Sequence, residues 1–227
     1  MIVVKFGGTS VGDADAIRRA TDVVASRARR TPVVVVSAAS GTTTELIELA
    51  EQAARGQLIG ALRSVEHIRE RHIAMCDALL RNVPTGADTT AEIAAMCDEI
   101  ASLAEALNTL GHVTPRSLDA VASFGEQMSS LLVTEAFRAR GIPAEHVDAR
   151  EVMVTSDHFT SAEPRPDAIA ERAREIIAPL VSAGKVPVVG GYIGATSSGI
   201  TTTLGRGGSD YTASLLGAAL GAEDIEI

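Results

Sequence analysis

The first part of the chain alternates between continuous apolar runs and one amphipathic segment. The run Ile2–Phe6 is rich in β-branched residues and ends at Gly7 and Gly8, which is typical of a buried strand followed by a turn. Residues 13–30 instead place apolar side chains at helical spacing, and Pro32–Val36 forms a second continuous apolar run. Strands that are apolar throughout and are separated by an amphipathic helix predict a mainly parallel α/β sheet with helices on both faces.

The rest of the pattern predicts a long helical region and then a second β-α unit. Residues 44–110 show helical periodicity without a strand-like run, and a further helix is predicted over 118–140. The later segments are an extended, irregular stretch at 142–165, a helix at 167–183, a buried strand at 186–189 and a helix at 210–220. No strand is predicted in the stretch 190–209, which is rich in Gly, Thr and Ser. Because the apolar run at 224–227 reads as a strand that has barely begun, we expect the natural protein to continue beyond it.

Composition limits the classes of function. Hydrophobic residues make up 46% of the 227 and charged residues 22%, which suits a globular protein with a buried core. The formal charge of −9 argues against a nucleic-acid partner, because phosphate backbones bind clustered Lys and Arg. We expect a cytoplasmic protein with no membrane partner, since no segment reads as a signal peptide or reaches the ~20 apolar residues of a membrane helix. Cys76 and Cys97 belong to no metal-binding motif and are interpreted as small buried hydrophobes.

Three turns rich in Gly or hydroxyl side chains each follow an apolar strand. They are Lys5-Phe6-Gly7-Gly8-Thr9-Ser10, Ser37-Ala38-Ala39-Ser40-Gly41-Thr42-Thr43 and Gly190-Gly191-Tyr192-Ile193-Gly194. Ligands of open α/β sheets bind outside the carboxyl ends of the strands, so the three turns are predicted to converge on one crevice. Adjacent glycines let backbone N–H groups approach a phosphate, although many such turns contain glycine for steric reasons alone.

Lys5 is a candidate catalytic residue because it lies near the end of an otherwise apolar strand. A buried lysine without an anionic partner is costly, so its ammonium is expected to reach into the crevice and to act on a transferring phosphoryl group. The alternative is that the side chain extends to solvent at the strand end. The sequence contains neither GxxxxGK[ST] nor GxGxxG, so neither a P-loop nor a dinucleotide-binding fold is supported.

Two further segments carry charged candidates. Arg206 lies among three glycines and presents a planar fork that suits a carboxylate or a phosphate, and Ser209 is expected to cap the helix that follows. Asp210 is either a residue favoured by the helix dipole or a ligand for an ammonium group. Glu126 lies on a helix of small and apolar residues with serines at helical spacing, and it is either a solvated surface residue or a ligand for a cationic group.

These motifs together resemble the aspartate kinases of the amino acid kinase family. The segments that carry the resemblance are Lys5-Phe6-Gly7-Gly8-Thr9-Ser10-Val11, Ser123-Phe124-Gly125-Glu126 and Thr201-Thr202-Thr203-Leu204-Gly205-Arg206-Gly207-Gly208-Ser209-Asp210-Tyr211. The last motif is the most specific, and the order and spacing of all three match along the whole chain. The resemblance implies a three-layer α/β/α fold of the amino acid kinase (carbamate kinase-like) type. Residues 1–227 would form the amino-acid-binding lobe and the start of the nucleotide-binding lobe.

The resemblance also implies how the nucleotide is used. ATP is the expected cofactor, with Mg²⁺ held through its phosphates and no metal bound by the protein alone. Lys5, Gly7 and Gly8 would contact the phosphates of ATP. Lys5 and Asp210 are the expected catalytic residues, with Lys5 stabilising charge in the transition state by position and electrostatics.

The substrate implied by the resemblance is L-aspartate, phosphorylated on its side-chain carboxylate in the first step of lysine, threonine and methionine biosynthesis. Glu126 would bind the ammonium group and Arg206 the α-carboxylate. Ser37 and Thr43 would line the crevice, and Ser209 would complete the substrate site.

The chain departs from the family pattern at its end. The Trp-Thr-Asp-type segment, the rest of the nucleotide lobe and the regulatory ACT domains that usually follow are not part of residues 1–227, so these residues are expected to form an incomplete fragment of the enzyme. Two alternatives remain at this point: a kinase for another amino acid such as glutamate, or a ligand-binding module that is not catalytic. The sequence leaves the oligomeric state open and is compatible with a homo-oligomer of the full-length protein.

Overall fold

The computed structural model describes all residues from Met1 to Ile227. Eight strands occur along the chain: β1 (Ile2–Phe6), β2 (Pro32–Val36), β3 (Ala144–Val147), β4 (Val154–Thr155), β5 (Val186–Gly190), β6 (Ile193–Thr196), β7 (Thr201–Thr203) and β8 (Asp224–Glu226). Five of them form the central sheet in the order β3-β5-β2-β1-β8, and every pair in it is parallel. The predicted parallel sheet is therefore confirmed.

Nine helices surround the sheet. They are α1 (Ala14–Ser26), α2 (Thr42–Ala54), α3 (Leu58–Leu80), α4 (Gly86–Leu110), α5 (Pro115–Ala139), α6 (Ala149–Val152), α7 (Pro166–Arg172), α8 (Ala178–Ser182) and α9 (Gly208–Leu220). A π-helical turn at Ala173–Ile177 joins α7 to α8, and 3-10 turns follow β1 and α1. None of the helices is both long enough and apolar enough to span a membrane.

The core lies in two layers, one on each face of the central sheet. Alternate residues of a strand point to opposite faces, so Val34 and Val36 pack with α1 to α5, whereas Val33 and Val35 pack with α7 to α9. Both sets of side chains are fully buried. Because β2 buries both of its faces, it is apolar at every position, and the three-layer α/β/α prediction is confirmed.

Helix α5 begins with a capping box and is the most deeply buried helix. The hydroxyl of Thr114 accepts the N–H of Ser117 at 3.1 Å, the Ser117 hydroxyl oxygen accepts the N–H of Thr114 at 2.9 Å, and Pro115 occupies the first helical position. Residues 121–126 and 128–137 are all buried, because the helix lies between the central sheet and the outer helices α2 and α4. Any polar side chain on this stretch is therefore forced into the interior.

Two stretches contain strands that were not assigned from the sequence, although residues 142–165 were expected to be extended. Residues 142–165 include β3, α6 and β4, and residues 190–209 include the antiparallel pair β6–β7, which forms a second, three-stranded sheet with β4. These strands are two to four residues long and rich in Thr and Gly, so they carry no continuous apolar run. Their pairing depends on neighbours that are distant in sequence, as in the hydrogen bond between the hydroxyl groups of Thr155 and Thr202 at 2.7 Å.

Candidate functional site

The main cavity lies at the carboxyl ends of the central strands. The register pairs Phe6 with Val36, and Val36 with Gly190, so the turns after β1, β2 and β5 meet at one edge of the sheet. The cavity there has a volume of about 750 Å³. The predicted site residues that line it are Lys5, Gly8, Ser37, Thr43, Glu126, Arg206, Ser209 and Asp210. The structure thus brings together every predicted site residue except Gly7 on one wall or another of this cavity.

Lys5 and Asp210 meet at the mouth of the cavity. Lys5 follows the buried part of β1, and its Nζ lies 2.5 Å from Oδ1 of Asp210, in the first turn of α9. The Lys5 side chain is 11% exposed and that of Asp210 is 53% exposed. The lysine therefore neither extends to bulk solvent nor lacks an anionic partner. Its charge is held at a fixed place, as the burial cost of an ammonium requires.

The two glycines after β1 occupy different environments. A Cβ at Gly8 would lie 2.9 Å from the carbonyl oxygen of Ala38, so only glycine lets the turns after β1 and β2 approach this closely. Gly7 does not line the cavity, and a Cβ there would meet only Nζ of Lys5 at 3.7 Å. Gly8 thus has a packing reason for being glycine, whereas Gly7 lies next to the ammonium group.

The turn after β2 is fixed by hydrogen bonds from other elements. The Ser129 hydroxyl donates to the carbonyl oxygen of Ser37 at 2.8 Å, and the guanidinium of Arg71 donates to the Thr42 hydroxyl at 2.5 Å. Helix α2 begins at Thr42, with Gly41 in the left-handed region at φ 82°. Helix α9 also begins at the cavity, so the positive ends of two helix dipoles converge there and favour a bound anion.

Glu126 is a buried carboxylate in the cavity wall, so the solvated-surface interpretation is wrong. The residue is 3% exposed; Oε1 accepts the N–H of Ala38 at 3.1 Å, and Oε2 has no partner. Burial raises the pKa of Glu126 to about 8, against the opposing effect of the Ala38 N–H. The neighbouring serines do not bond to it: Ser123 and Ser129 donate to backbone carbonyls. Glu126 is left with one free oxygen that a cationic group can bind.

Arg206 lies on an exposed loop at the opposite side of the cavity and has no ion pair within the chain. The glycines on either side, Gly205 and Gly207, have φ values of 76° and 77°, which only glycine adopts without strain. Ser209 does not cap α9: Gly207 occupies the N-cap position, and Ser209 is the second residue of the helix. A Cβ at Gly191 would lie 2.7 Å from Cβ of Ser209, so Ser209 is instead packed against the turn that follows β5.

Three residues at or behind the cavity stand out among those that were not predicted as site residues. Tyr192 and Thr160 line it, and both have positive φ values, 63° and 69°. Asp119 lies just behind them, with its carboxylate buried at 1% exposure. In the sequence, Asp119 looks like an ordinary acidic residue near a helix start, no local pattern marks Thr160, and Tyr192 is marked only as part of the Gly-rich turn at 190–194. Their roles depend on loops that come together only in the fold.

Comparison with known proteins agrees with this geometry. The model of the amino acid kinase family matches residues 1–227. The lysine-sensitive aspartokinase 3 of Escherichia coli is 40% identical over the whole chain, and aspartokinase 2 of Arabidopsis thaliana is 31% identical over 99% of it. The chain covers 48% and 41% of these relatives, so it spans about half the length of the proteins it matches. A crystal structure of E. coli aspartokinase III with aspartate and ADP superposes with a TM-score of 0.88 over 99% of this chain and 48% of that one, at 40% identity.

Proposed function

The chain belongs to the amino acid kinase family, and on that premise we propose that the protein carrying it is an aspartate kinase. It transfers the γ-phosphoryl group of ATP to the β-carboxylate of L-aspartate, giving 4-phospho-L-aspartate and ADP. The similar E. coli enzyme has been crystallised with aspartate and ADP, which supports both ligands. The product feeds lysine, threonine and methionine biosynthesis, and the protein acts in the cytoplasm.

The charges in the cavity support the proposal most directly. One wall holds the free Oε2 of buried Glu126, and another holds the unpaired guanidinium of Arg206. A free α-amino acid carries an ammonium, which can bind the free oxygen of Glu126 and favour its ionised form, and a carboxylate, which can pair with Arg206. An N-acetylated amino acid or a carbamate has no ammonium group to offer Glu126, which makes those substrates a poor fit. Ser37, Thr43 and Ser209 provide hydroxyl groups along the same cavity.

The transfer step needs positioning and charge stabilisation rather than a general base. The β-carboxylate of aspartate is already ionised at neutral pH, so one of its oxygens can attack the γ-phosphorus directly while the bond to the ADP oxygen breaks. Lys5 places a positive charge at the cavity mouth, where charge on the transferring group is stabilised. Asp210 orients that ammonium, and the N-terminus of α9 adds its dipole. Gly7 and Gly8 let the backbone approach the phosphates.

Magnesium fits this site as a companion of ATP. No group of three or more His, Cys, Asp or Glu side chains is arranged to hold a metal ion. Of the two carboxylates that line the cavity, Glu126 is buried and Asp210 is paired with Lys5. This donor set suits an ion held mainly by phosphate oxygens, whose contribution is to neutralise their charge. In this proposal, residues 1–227 supply the amino-acid-binding lobe and the start of the nucleotide-binding lobe.

The direct test measures ADP release and acyl phosphate formation by the full-length protein. L-Aspartate, L-glutamate and N-acetyl-L-aspartate would each be supplied with ATP and Mg²⁺, and the acyl phosphate trapped with hydroxylamine. We expect product with L-aspartate alone. Product with L-glutamate instead would identify a different amino acid kinase, and binding of L-aspartate without any ADP would identify a module that is not catalytic.

A further inference from the structure

Asp119 joins two loops of the cavity through one carboxylate. It lies in the second turn of α5, between the cavity-lining residues Leu118 and Ala122. The N–H of Thr160 lies 3.0 and 2.9 Å from its two oxygens, the N–H of Thr203 donates to Oδ2 at 3.0 Å, and the Thr203 hydroxyl donates to Oδ1 at 2.7 Å. Every donor on this buried group comes from one of two segments that are distant in sequence.

Both segments shape the cavity. Thr160 lines it and holds a left-handed backbone conformation. Thr203 ends β7 and is followed directly by the loop that carries Arg206. The two segments also touch each other, since the N–H of Ala162 donates to the carbonyl oxygen of Thr203 at 2.8 Å, and a Cβ at Gly205 would lie 3.1 Å from the carbonyl oxygen of Thr160. Asp119 therefore holds Thr203, the residue directly before the Arg206 loop, and so sets where that loop begins.

From this arrangement we propose that Asp119 is a positioning residue, which fixes the Arg206 loop in the geometry that binds the α-carboxylate of the substrate. The inference rests on the proposed function for the identity of that substrate. Asp119 does not line the cavity, so it acts through Thr203 and Thr160 rather than by contact with a ligand. The side chain of Arg206 makes no hydrogen bond or ion pair within the chain. The loop is therefore held in place by the residues on either side of Arg206.

Two substitutions at Asp119 distinguish the loss of its hydrogen-bond acceptors from the loss of its negative charge. Asp119→Ala leaves the N–H groups of Thr160 and Thr203 without an acceptor. Asp119→Asn keeps one acceptor oxygen, and the amide nitrogen can face the Thr203 hydroxyl, which rotates to accept. The asparagine variant is therefore the milder of the two.

Glu135 offers a matched control on the same helix. It is a buried carboxylate, 4% exposed, that accepts from the Thr85 hydroxyl at 2.6 Å and from Arg138 at 2.5 Å. It lies sixteen positions beyond Asp119 on α5, or about 24 Å along the helix axis, and lines no part of the cavity. Glu135→Gln disturbs a buried carboxylate of α5 without touching the Arg206 loop.

The experiment compares Asp119→Ala, Asp119→Asn and Glu135→Gln in the full-length protein. The KM for L-aspartate should rise about tenfold or more in Asp119→Ala and by a smaller factor in Asp119→Asn, with kcat and the KM for ATP changed about twofold at most. Glu135→Gln should lower the melting temperature with the KM for L-aspartate unchanged. Equal changes of that KM in the Asp119 and Glu135 variants, or none in either, would overturn the positioning role.

Amide hydrogen exchange of residues 201–208 gives a second readout that does not require activity. Exchange there should be faster in Asp119→Asn than in the wild type and unchanged in Glu135→Gln. Unchanged exchange in Asp119→Asn would overturn the proposal. If the wild-type protein released no ADP with L-aspartate, the proposed function would fail, and the exchange result would still decide whether Asp119 positions the loop.

Discussion

Lys5 at the end of the first strand and Asp210 in the first turn of the last helix form an ion pair of 2.5 Å. The pair places two opposite charges in the lining of the cavity, one from each end of the chain. A phosphoryl group that binds the Lys5 ammonium has to share it with Asp210. Because Asp210 is half exposed while Lys5 is largely covered, the carboxylate is the partner that can turn away into solvent.

Replacing Lys5 by Met should abolish most turnover without unfolding the protein. The methionine fills similar space but removes the charge that stabilises the transferring group. We expect kcat to fall about 10²- to 10³-fold, with a smaller change in the KM for L-aspartate. Steady-state kinetics of the full-length protein, with both substrates varied, would measure this.

Two controls show whether the loss comes from the missing charge on Lys5. Lys185→Met removes the same residue type from an ion pair with Glu145 that lies before β5, away from the cavity, and should leave kcat unchanged. The double variant Lys5→Met/Asp210→Asn removes the uncompensated carboxylate as well. If the double variant regained full activity, repulsion by Asp210 would explain the loss, and Lys5 would have no role in the transition state.

Replacing Arg206 by Ala should weaken substrate binding while leaving stability intact. The side chain is exposed and makes no ion pair within the chain, so its loss costs little folding free energy. We expect the KM for L-aspartate to rise about 10- to 100-fold, as for loss of a charged hydrogen bond. Arg29→Ala is the matched control: Arg29 is exposed and lies before β2, at the opposite edge of the sheet. An unchanged KM in Arg206→Ala would remove this residue from the site.

Glu126 should make stability depend on pH in a way that Glu126→Gln removes. Burial raises its pKa from the ordinary 4.5 to about 8, so between these values the folded state keeps a proton that the unfolded state releases. Its contribution is fully present below about pH 4.5 and is lost as pH rises through 8, a change on the order of a few kcal/mol. Urea unfolding of the wild type and of Glu126→Gln at pH 5 to 9 would measure how the free energy of unfolding changes with pH in each protein.

The difference in the free energy of unfolding between the wild type and Glu126→Gln isolates the contribution of Glu126. Burial also lowers the pKa values of His72 and His146, and these groups contribute an opposite slope in the acidic part of the range. Both histidines are present in wild type and variant, so their contribution cancels in the difference. A difference that does not vary between pH 5 and 8 would mean that Glu126 is ionised in the folded protein.

Alanine at Gly8 and at Gly7 should have different effects. Gly8→Ala forces a Cβ to within 2.9 Å of the Ala38 carbonyl oxygen, and we expect a loss of about 1–3 kcal/mol of stability. Gly7→Ala meets nothing closer than 3.7 Å, and its φ of −71° suits alanine, so it should fold normally. Thermal unfolding and the KM for ATP of both variants test this. A raised KM for ATP in the stable Gly7→Ala protein would support phosphate binding beside Lys5, and an unchanged KM would count against it.

The sequence by itself determined four of the five strands of the central sheet, the helical layers and the crevice in which most of the candidate site residues lie. Strands β2 and β5 are apolar at every position, and β1 at every position except Lys5, because both faces of these strands are buried; such runs are visible without a structure. Lys5 lies near the end of β1, the turns after β1 and β2 contain Gly8 and Ser37, and parallel strands bring their carboxyl ends to one edge. That general property of parallel sheets is why three separate motifs could be assigned to one crevice.

Only the tertiary structure decided the environment of each group in that crevice. The ion pair of Lys5 with Asp210, the burial of Glu126 and the bonds of Asp119 all join residues that are far apart in sequence. The short strands β6 and β7 escaped prediction for the same reason, since Thr and Gly pair there only because neighbours bury them. Periodicity reports which face of a local element is buried, whereas the pairing of charges depends on where distant elements meet.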